Sequence, residues 1–498
     1  MAGTSTTRAG AGEPRPSGGR RGTGGAPGGV GHRPDPGGAV SSAADGDGPA
    51  SPGAHRRIEP ARLKLRRRPV ADALRPLFTG LFGGDPPVRV ELWDGTAVGP
   101  PDGPGAIQVR SAAALRRLVW APGELGLARA YVSGDVDVSG DVFAVLLALR
   151  HAAPRSAARG RRGGRGARAS FALDVLRALP AVTAVGALGL PPPPPVIESR
   201  PRGRLHSAGR DAASVTYHYD VGNDFYRLLL GPSMTYSCAR FTDDDRDLER
   251  AQQAKHDLVC RKLGLHERRG ARLLDVGCGW GSLLIHAARH YGARSVGVTL
   301  SRPQAELARR RADEEGVGDR VEVRVQDYRD LGGEEFDAVS SVGMSEHVGL
   351  AQLPRYFRVL RGVLAPGGRL CNHAISSPGG SRVGPRTFVG RYVFPDGELV
   401  DAGRVVLAME EAGLEVRDVE SLREHYALTL RAWVANLQDH WEEAAALVGE
   451  PRARVWRLYM AASANGFEDG GIAVHQVLGV RPDATGASGM PRTRRGWG

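Results

Sequence analysis

Leu273-Leu-Asp-Val-Gly-Cys-Gly-Trp-Gly281, followed at once by Ser282-Leu-Leu-Ile-His-Ala-Ala-Arg289, is the stretch whose reading decides the fold. Leu273, Leu274 and Val276 form a short apolar run, as expected of a central strand buried on both faces. Asp275 lies near its carboxyl end, and Gly277, Gly279 and Gly281 come next. The segment from Ser282 reads as the start of a helix. Strand, glycine turn and helix make the first unit of a nucleotide-binding α/β sheet, where glycine lets the backbone approach a ligand that a Cβ would repel. The spacing is not the dinucleotide fingerprint G-x-G-x-x-G.

Downstream, Ser295–Thr299, Val321–Val325, Asp337–Val342 and Gly368–Ile375 read as further strands, with helical segments between them. That alternation predicts an α/β, doubly wound sheet. Ligands on such sheets bind beyond the carboxyl ends of the strands. Gly277, Gly279, the stretch from Thr299 through Ser301 to Gln304, Asp327, Tyr328, Glu346 and His373 are therefore expected to converge on one crevice.

The 498 residues suggest two or three domains, and the formal charge of +12 is uneven along them. Residues 1–213 hold 30 Lys and Arg against 17 Asp and Glu, whereas 214–498 hold 37 against 38. A nearly neutral catalytic part is no nucleic-acid clamp, so no nucleic-acid partner is expected. Cys238, Cys260, Cys278 and Cys371 show neither metal-ligand spacing nor a disulfide framework, which points to a reduced cytoplasm and no metal.

Residues 1–55 are rich in Gly, Pro, Ser, Ala and Arg, and are expected to be a disordered tail. They lack the apolar core of a signal peptide, and nothing hydrophobic follows Arg20-Arg21. Composition turns globular over 58–149, a small α+β domain: Val88–Leu92 alternates as a strand, Ile107–Val109 is its partner, and Ser111 caps a helix through Leu118. Residues 150–213 form a linker containing the arginine- and glycine-rich run Arg155–Arg168, the apolar Phe171–Leu190 and the prolines Pro191–Pro195. Two readings of it stand open: a basic apolar helix resting on an anionic membrane surface, or a flexible insertion packed on the core. A larger domain, 214–482, follows, and 483–498 is expected to be a disordered tail.

The ordered segments HYDVGNDFY (218–226), MTYSCA (234–239), LLDVGCGWG, GVTLSRPQ (297–304), QDYRDL (326–331), VGMSEHVG (342–349), YVFPDGEL (392–399) and HYALTLRAW (425–433) resemble the cyclopropane-fatty-acyl-phospholipid synthase family, including the mycolic acid cyclopropane synthases. The Asp-x-Gly-x-Gly-x-Gly form resembles motif I of S-adenosylmethionine-dependent methyltransferases. The resemblance runs from about residue 216 to 480, and more weakly over 58–149. It implies a class I, Rossmann-like methyltransferase sheet and S-adenosylmethionine as cofactor. It assigns Tyr236, Ser237, Asp275, Gly277, Gly279, Gly281, Thr299, Ser301, Gln304, Asp327 and Tyr328 to the cofactor site. Thr299 and Ser301 also have plain structural readings, as a strand end and a helix cap.

Methyl transfer to an alkene makes a carbocation, which requires a dry site, aromatic faces and a base. The resemblance supplies the base as a bicarbonate ion, held by Cys238, Glu346, His373, Ile375 and Tyr426. A negative ion beside Glu346 requires that the two share a proton. Two positions depart from the family pattern: Ser463 stands where relatives often carry cysteine, and Asp396 where glycine is usual. The expected substrate is an unsaturated fatty acyl phospholipid at the inner face of the membrane, met by a peripheral enzyme that can form a homodimer. The expected product is a cyclopropane. Methyl- or methylene-branched chains, a small-molecule methyltransferase and a non-catalytic lipid-binding protein are the alternatives.

Overall fold

The computed structural model describes residues 69–152, 179–199, 209–210, 217–218, 221–242, 245–384 and 386–497. The expected tail at 1–55 and the Arg155–Arg168 run lie outside the described residues. Arg66–Gly498 forms one compact unit.

Four strands, β1 (Arg89–Leu92), β2 (Ala97–Val98), β3 (Gly105–Val109) and β4 (Val136–Gly140), make a small sheet in the order β2-β1-β3-β4. The expected partner of β1 is indeed β3, and the two run parallel. The helix expected after Ser111 spans Ala113–Trp120, with Ser111 Oγ accepting from the Ala113 amide at 3.2 Å. This module is not a separate domain. Val142 and Val145 of helix Val142–Ala152 share one apolar cluster with Phe225, Trp456 and Met460. Arg454 on helix Glu450–Glu468 pairs with Asp137 at 2.9 Å, and Asn465 donates to the Phe143 carbonyl at 2.9 Å. The sheet buries a core of its own around Leu74, Phe78, Val90 and Leu115, and a domain this small gains further burial from the later helices.

The main sheet contains β5 (Arg272–Val276), β6 (Arg294–Thr299), β7 (Val321–Val325), β8 (Phe336–Val342) and β9 (Leu364–Ser376). A two-residue pair, β10 (Ser381–Arg382) and β11 (Glu398–Leu399), stands outside it. The main sheet is completed by β12 (Glu415–Ser421) and β13 (Ala473–Val480). Its order is β12-β13-β9-β8-β5-β6-β7, with β13 antiparallel to both neighbours and β5, β6, β7, β8 and β9 parallel. Leu273, Leu274 and Val276 are fully buried, as a strand covered by helices on both faces must be. Order reverses between β5 and β8, so the ends of those strands leave a crevice.

Residues 483–497 do not form the free tail expected from their composition. Trp497 is buried with Leu265, Ala271 and Leu273, and Arg494 reaches Asp418, which also holds the buried Lys262 at 3.1 Å. An indole supplies enough apolar surface to fix a short segment that is otherwise polar. Among the described residues no helix is long and apolar enough to cross a membrane. Trp497→Ala should therefore cost about 3 kcal/mol of stability, the usual range for emptying a core site. Equilibrium urea unfolding measures it, and an unchanged midpoint would restore the free-tail reading.

Candidate active site

The carboxyl ends of β5, β6, β7 and β8 open onto one cleft. Its wall includes Asp275, Gly277 and Gly279 after β5, Thr299 and Gln304 after β6, Asp327 and Tyr328 after β7, and Met344 after β8. Tyr236 and Ser237 close it from the segment before the sheet. Nine of the eleven residues expected at the cofactor thus meet, drawn from four separate stretches.

Local bonds fix them. Thr299 Oγ1 lies 3.1 Å from Gln304 Oε1 and accepts from the Ser301 amide. Asp327 Oδ2 pairs with Arg329 at 2.8 Å, and Asp275 Oδ1 accepts from Ser340 Oγ at 2.6 Å. Gly279 has φ +54°, and a Cβ built there meets no protein atom within 4 Å, so the space beyond it is open for a ligand. Gly281 and Ser301 do not line the cleft. Gly281 has φ +78° and sits 3.0 Å (by an added Cβ) from Ala308 Cβ, so it permits close helix packing. Ser301 is the N-cap of helix Arg302–Glu314.

Cys238, Glu346, His373, Ile375 and Tyr426 gather beside the cleft rather than on its wall. Glu346 follows Met344 into the short helix Ser345–Val348, and its Oε1 accepts from the Ile375 amide at 2.6 Å. The Ile375 N–H is therefore engaged by Glu346 and is not available as a direct anion donor. Glu346 Oε2 and His373 Nε2 are buried and have no hydrogen-bond partner among the described residues. Alternation along β9 places His373 and Ile375 on one face. Cys238 and Tyr426 share an apolar cluster against which Ile375 and Tyr236 pack.

Burial sets the charge states here. It raises the Glu346 carboxyl to a pKa of about 7, against the Ile375 amide, which favours the ionised form. Burial likewise holds His373 down to about 3, so its imidazole is neutral at physiological pH. The Cys238 thiol is pushed well above its ordinary value and contacts the Ala239 and Leu422 carbonyls, which makes it a neutral core group.

Aromatic rings enclose this region. Tyr236 lies 5.3 Å from Trp433 and 5.8 Å from Trp456, and Tyr426 lies 4.6 Å from Phe467 (ring centroids). The Tyr459 hydroxyl adjoins Tyr236 and Ser463, so the serine at the departing position stands beside the aromatic wall. Asp396 has φ +73°, the region where glycine is usual, and asparagine and aspartate tolerate it best among other residues. Arg210 grips its carboxylate with two bonds of 2.6 Å, which secures the strained turn.

Sequence reasoning missed Lys255, His256 and Met344 on the cleft wall. A signal was present: Gln252, Lys255 and His256 sit three and four apart on a helix, and all three are buried.

A cleft of this make-up at the ends of a seven-stranded sheet with one antiparallel strand defines a class I methyltransferase fold. Residues 206–477 match the family model for mycolic acid cyclopropane synthetase. The chain is 42% identical over 419 residues to the probable fatty acid methyltransferase Rv3720 of Mycobacterium tuberculosis, covering 82% of this chain and 94% of that protein. It is 38% identical over 261 residues to the cyclopropane-fatty-acyl-phospholipid synthase of Escherichia coli, covering 52% and 66%. The crystal structure of mycolic acid cyclopropane synthase CmaA1 complexed with SAH and CTAB is similar at 33% identity and a TM-score of 0.50, over 54% of this chain and 97% of that one. The chain belongs to the mycolic acid cyclopropane synthetase family.

Gly279→Val would fill the open space with a branched side chain on a left-handed backbone. Calorimetric affinity for S-adenosylmethionine should fall at least tenfold, about 1.4 kcal/mol. Unchanged affinity in the folded variant would move the cofactor away from this turn.

Proposed function

We propose that this chain transfers the methyl group of S-adenosylmethionine to the double bond of an unsaturated fatty acyl chain in a phospholipid, and closes a cyclopropane ring as bicarbonate takes the proton. The observation that carries this reading is the buried Glu346 carboxyl, one oxygen on the Ile375 amide and the other unpartnered, beside an aromatic chamber and a cleft that fits the cofactor. When bound, S-adenosylmethionine supplies an electrophilic methyl group, and bicarbonate supplies a proton acceptor.

The residues of the chain do the rest. Methyl addition leaves positive charge on the acyl chain, and the faces of Tyr236, Trp433 and Tyr426 stabilise it, by up to about 2 kcal/mol per desolvated contact. The same rings exclude water, which would trap the cation as an alcohol. With a pKa of about 7, Glu346 can be protonated near neutral pH and donate to an anion through Oε2. That resolves the apparent clash of two negative charges. Neutral His373 can serve an anion only as a hydrogen-bond donor through Nε2.

A second reading, a methyl- or methylene-branched product, is favoured by the breadth of the likeness to a protein named for fatty acid methyl transfer alone. Fragmentation mass spectrometry of lipids from expressing cells separates ring from branch.

Support for an anionic bilayer as partner comes from Trp120, Leu188 and Leu190, which are 57%, 50% and 84% exposed. Trp120 Nε1 donates to the Gly189 carbonyl at 2.9 Å, so these residues adjoin, and Arg117 reaches the nearby Pro193 carbonyl. Exposed tryptophan and leucine suit a lipid interface, whereas Arg117 is mostly buried and paired with Asp135 at 2.8 Å. Replacing Trp120 and Leu190 together by serine should weaken co-sedimentation with phosphatidylglycerol vesicles at least tenfold. Equal binding would remove this surface from consideration.

For the mechanism, Glu346→Gln keeps a hydrogen bond to Ile375 but cannot exchange a proton with a bound anion. Turnover should fall by about two to four powers of ten, roughly 3–5 kcal/mol of barrier, and His373→Ala should cost less. Wild-type turnover in buffer stripped of carbon dioxide should recover on adding bicarbonate. Full activity of Glu346→Gln would sink the assignment.

A further inference from the structure

Lys255 is a charged group in the cleft that the reaction above does not use. It lies on helix Leu248–Lys262, is 2% exposed and lines the cleft. Its ammonium donates to Ser237 Oγ at 2.9 Å, and among the described residues no carboxylate stands within ion-pair distance of it. The cleft's guanidinium, Arg329, is already paired with Asp327. Gln252, three residues earlier on the same helix, holds the Ser237 carbonyl at 2.9 Å. The helix thus fixes Ser237 through two side chains and leaves one of them charged.

A buried ammonium with a single neutral partner is costly, by several kcal/mol. Such a group persists in a cleft where a ligand supplies the missing anion. Asp275 is the opposite half of the pattern. It is buried on the same cleft wall, carries a charge that Lys255 feels, and is bonded to Ser340 rather than to Lys255. A fixed cation and a fixed anion that do not neutralise each other are complementary to a zwitterion.

We propose that Lys255 recognises the α-carboxylate of the cofactor's amino-acid end, steadied by Ser237, with Asp275 facing the α-ammonium. This rests on S-adenosylmethionine being the ligand of the cleft. Burial holds the Lys255 ammonium down to a pKa of about 7, and a carboxylate beside it raises that value again. The other titratable groups around it are the buried thiols of Cys238 and Cys260, the imidazoles of His256, His286 and His373, and Asp275. The two thiols and three imidazoles are neutral at pH 7, the former raised and the latter lowered by burial.

The test is titration calorimetry of the full chain with S-adenosylmethionine and with decarboxylated S-adenosylmethionine, which lacks only the carboxylate. Wild type should prefer the carboxylated ligand at least tenfold. Lys255→Met, which keeps the length of the side chain, should lose at least tenfold for S-adenosylmethionine, bind the decarboxylated ligand as wild type does, and so lose the preference. Equal weakening for both ligands would make Lys255 structural and overturn the proposal. Preserved discrimination in Lys255→Met would do the same, by placing the carboxylate elsewhere. Lys255→Gln repeats the comparison should the methionine variant not fold. Wild type binding neither ligand would instead overturn the cofactor reading, which separates the two failures.

Discussion

The hydrogen bond from the Ile375 amide to Glu346 Oε1 joins the two halves of the site. On one side it holds the helix that begins beside Met344 on the cofactor cleft; on the other it anchors β9, whose outer face carries His373 and Ile375 toward the aromatic cluster. A buried bond to a carboxyl group contributes on the order of 1.5–3 kcal/mol when the group is charged, and its loss leaves two unmatched polar groups. The bond therefore fixes the carboxyl's second oxygen in an environment poor in water. Burial raises the pKa there and makes proton sharing possible near neutral pH.

The chamber around that carboxyl is assembled from distant parts of the chain. Tyr236 precedes the sheet, Tyr426 and Trp433 lie on helix Arg423–Asp439, and Trp456 and Tyr459 on helix Glu450–Glu468. The latter helix also receives the amino-terminal module through Val142, Val145, Asp137 and Phe143. The module thus buttresses one wall of the chamber from behind. The module keeps an apolar cluster of its own around Leu74, Val90 and Leu115, while its Val138, Val142 and Val145 join the core of the catalytic part, so packing continues across the composition change near residue 150. The same module exposes Trp120 beside Leu188 and Leu190, so the part that braces the chamber also carries an exposed apolar face.

Charge in the cleft follows a related logic. Asp275 and Lys255 are both buried, and burial moves them toward neutrality from opposite sides, to pKa values of about 6 and 7. Each retains one neutral partner, Ser340 or Ser237, rather than the other. The arrangement keeps a polar pair ready in a low-dielectric wall, where interactions with a ligand's charges are strong.

The sequence by itself determined the sheet and the identity of most of the cofactor wall. Short strand-like runs alternating with helical segments read as a doubly wound sheet, and strands β5 and β7 fall on the expected residues without change. The resemblance carried by the ordered motifs picked out Cys238, Glu346, His373, Ile375 and Tyr426 together, whereas the strand-end rule placed Glu346 and His373 in the cofactor crevice and the structure sets them beside it. The tertiary structure decided what each group is bonded to. Only packing shows that Ile375 holds Glu346, that Gly281 and Ser301 serve helix packing and capping, and that Trp497 secures a segment of polar composition. Lys255 was legible as one of three polar residues on a helix face, but its lack of a carboxylate partner was not. Local pattern records which face of an element is buried, whereas the partners of a buried charge come from segments hundreds of residues apart in some cases, and only the folded chain brings them together.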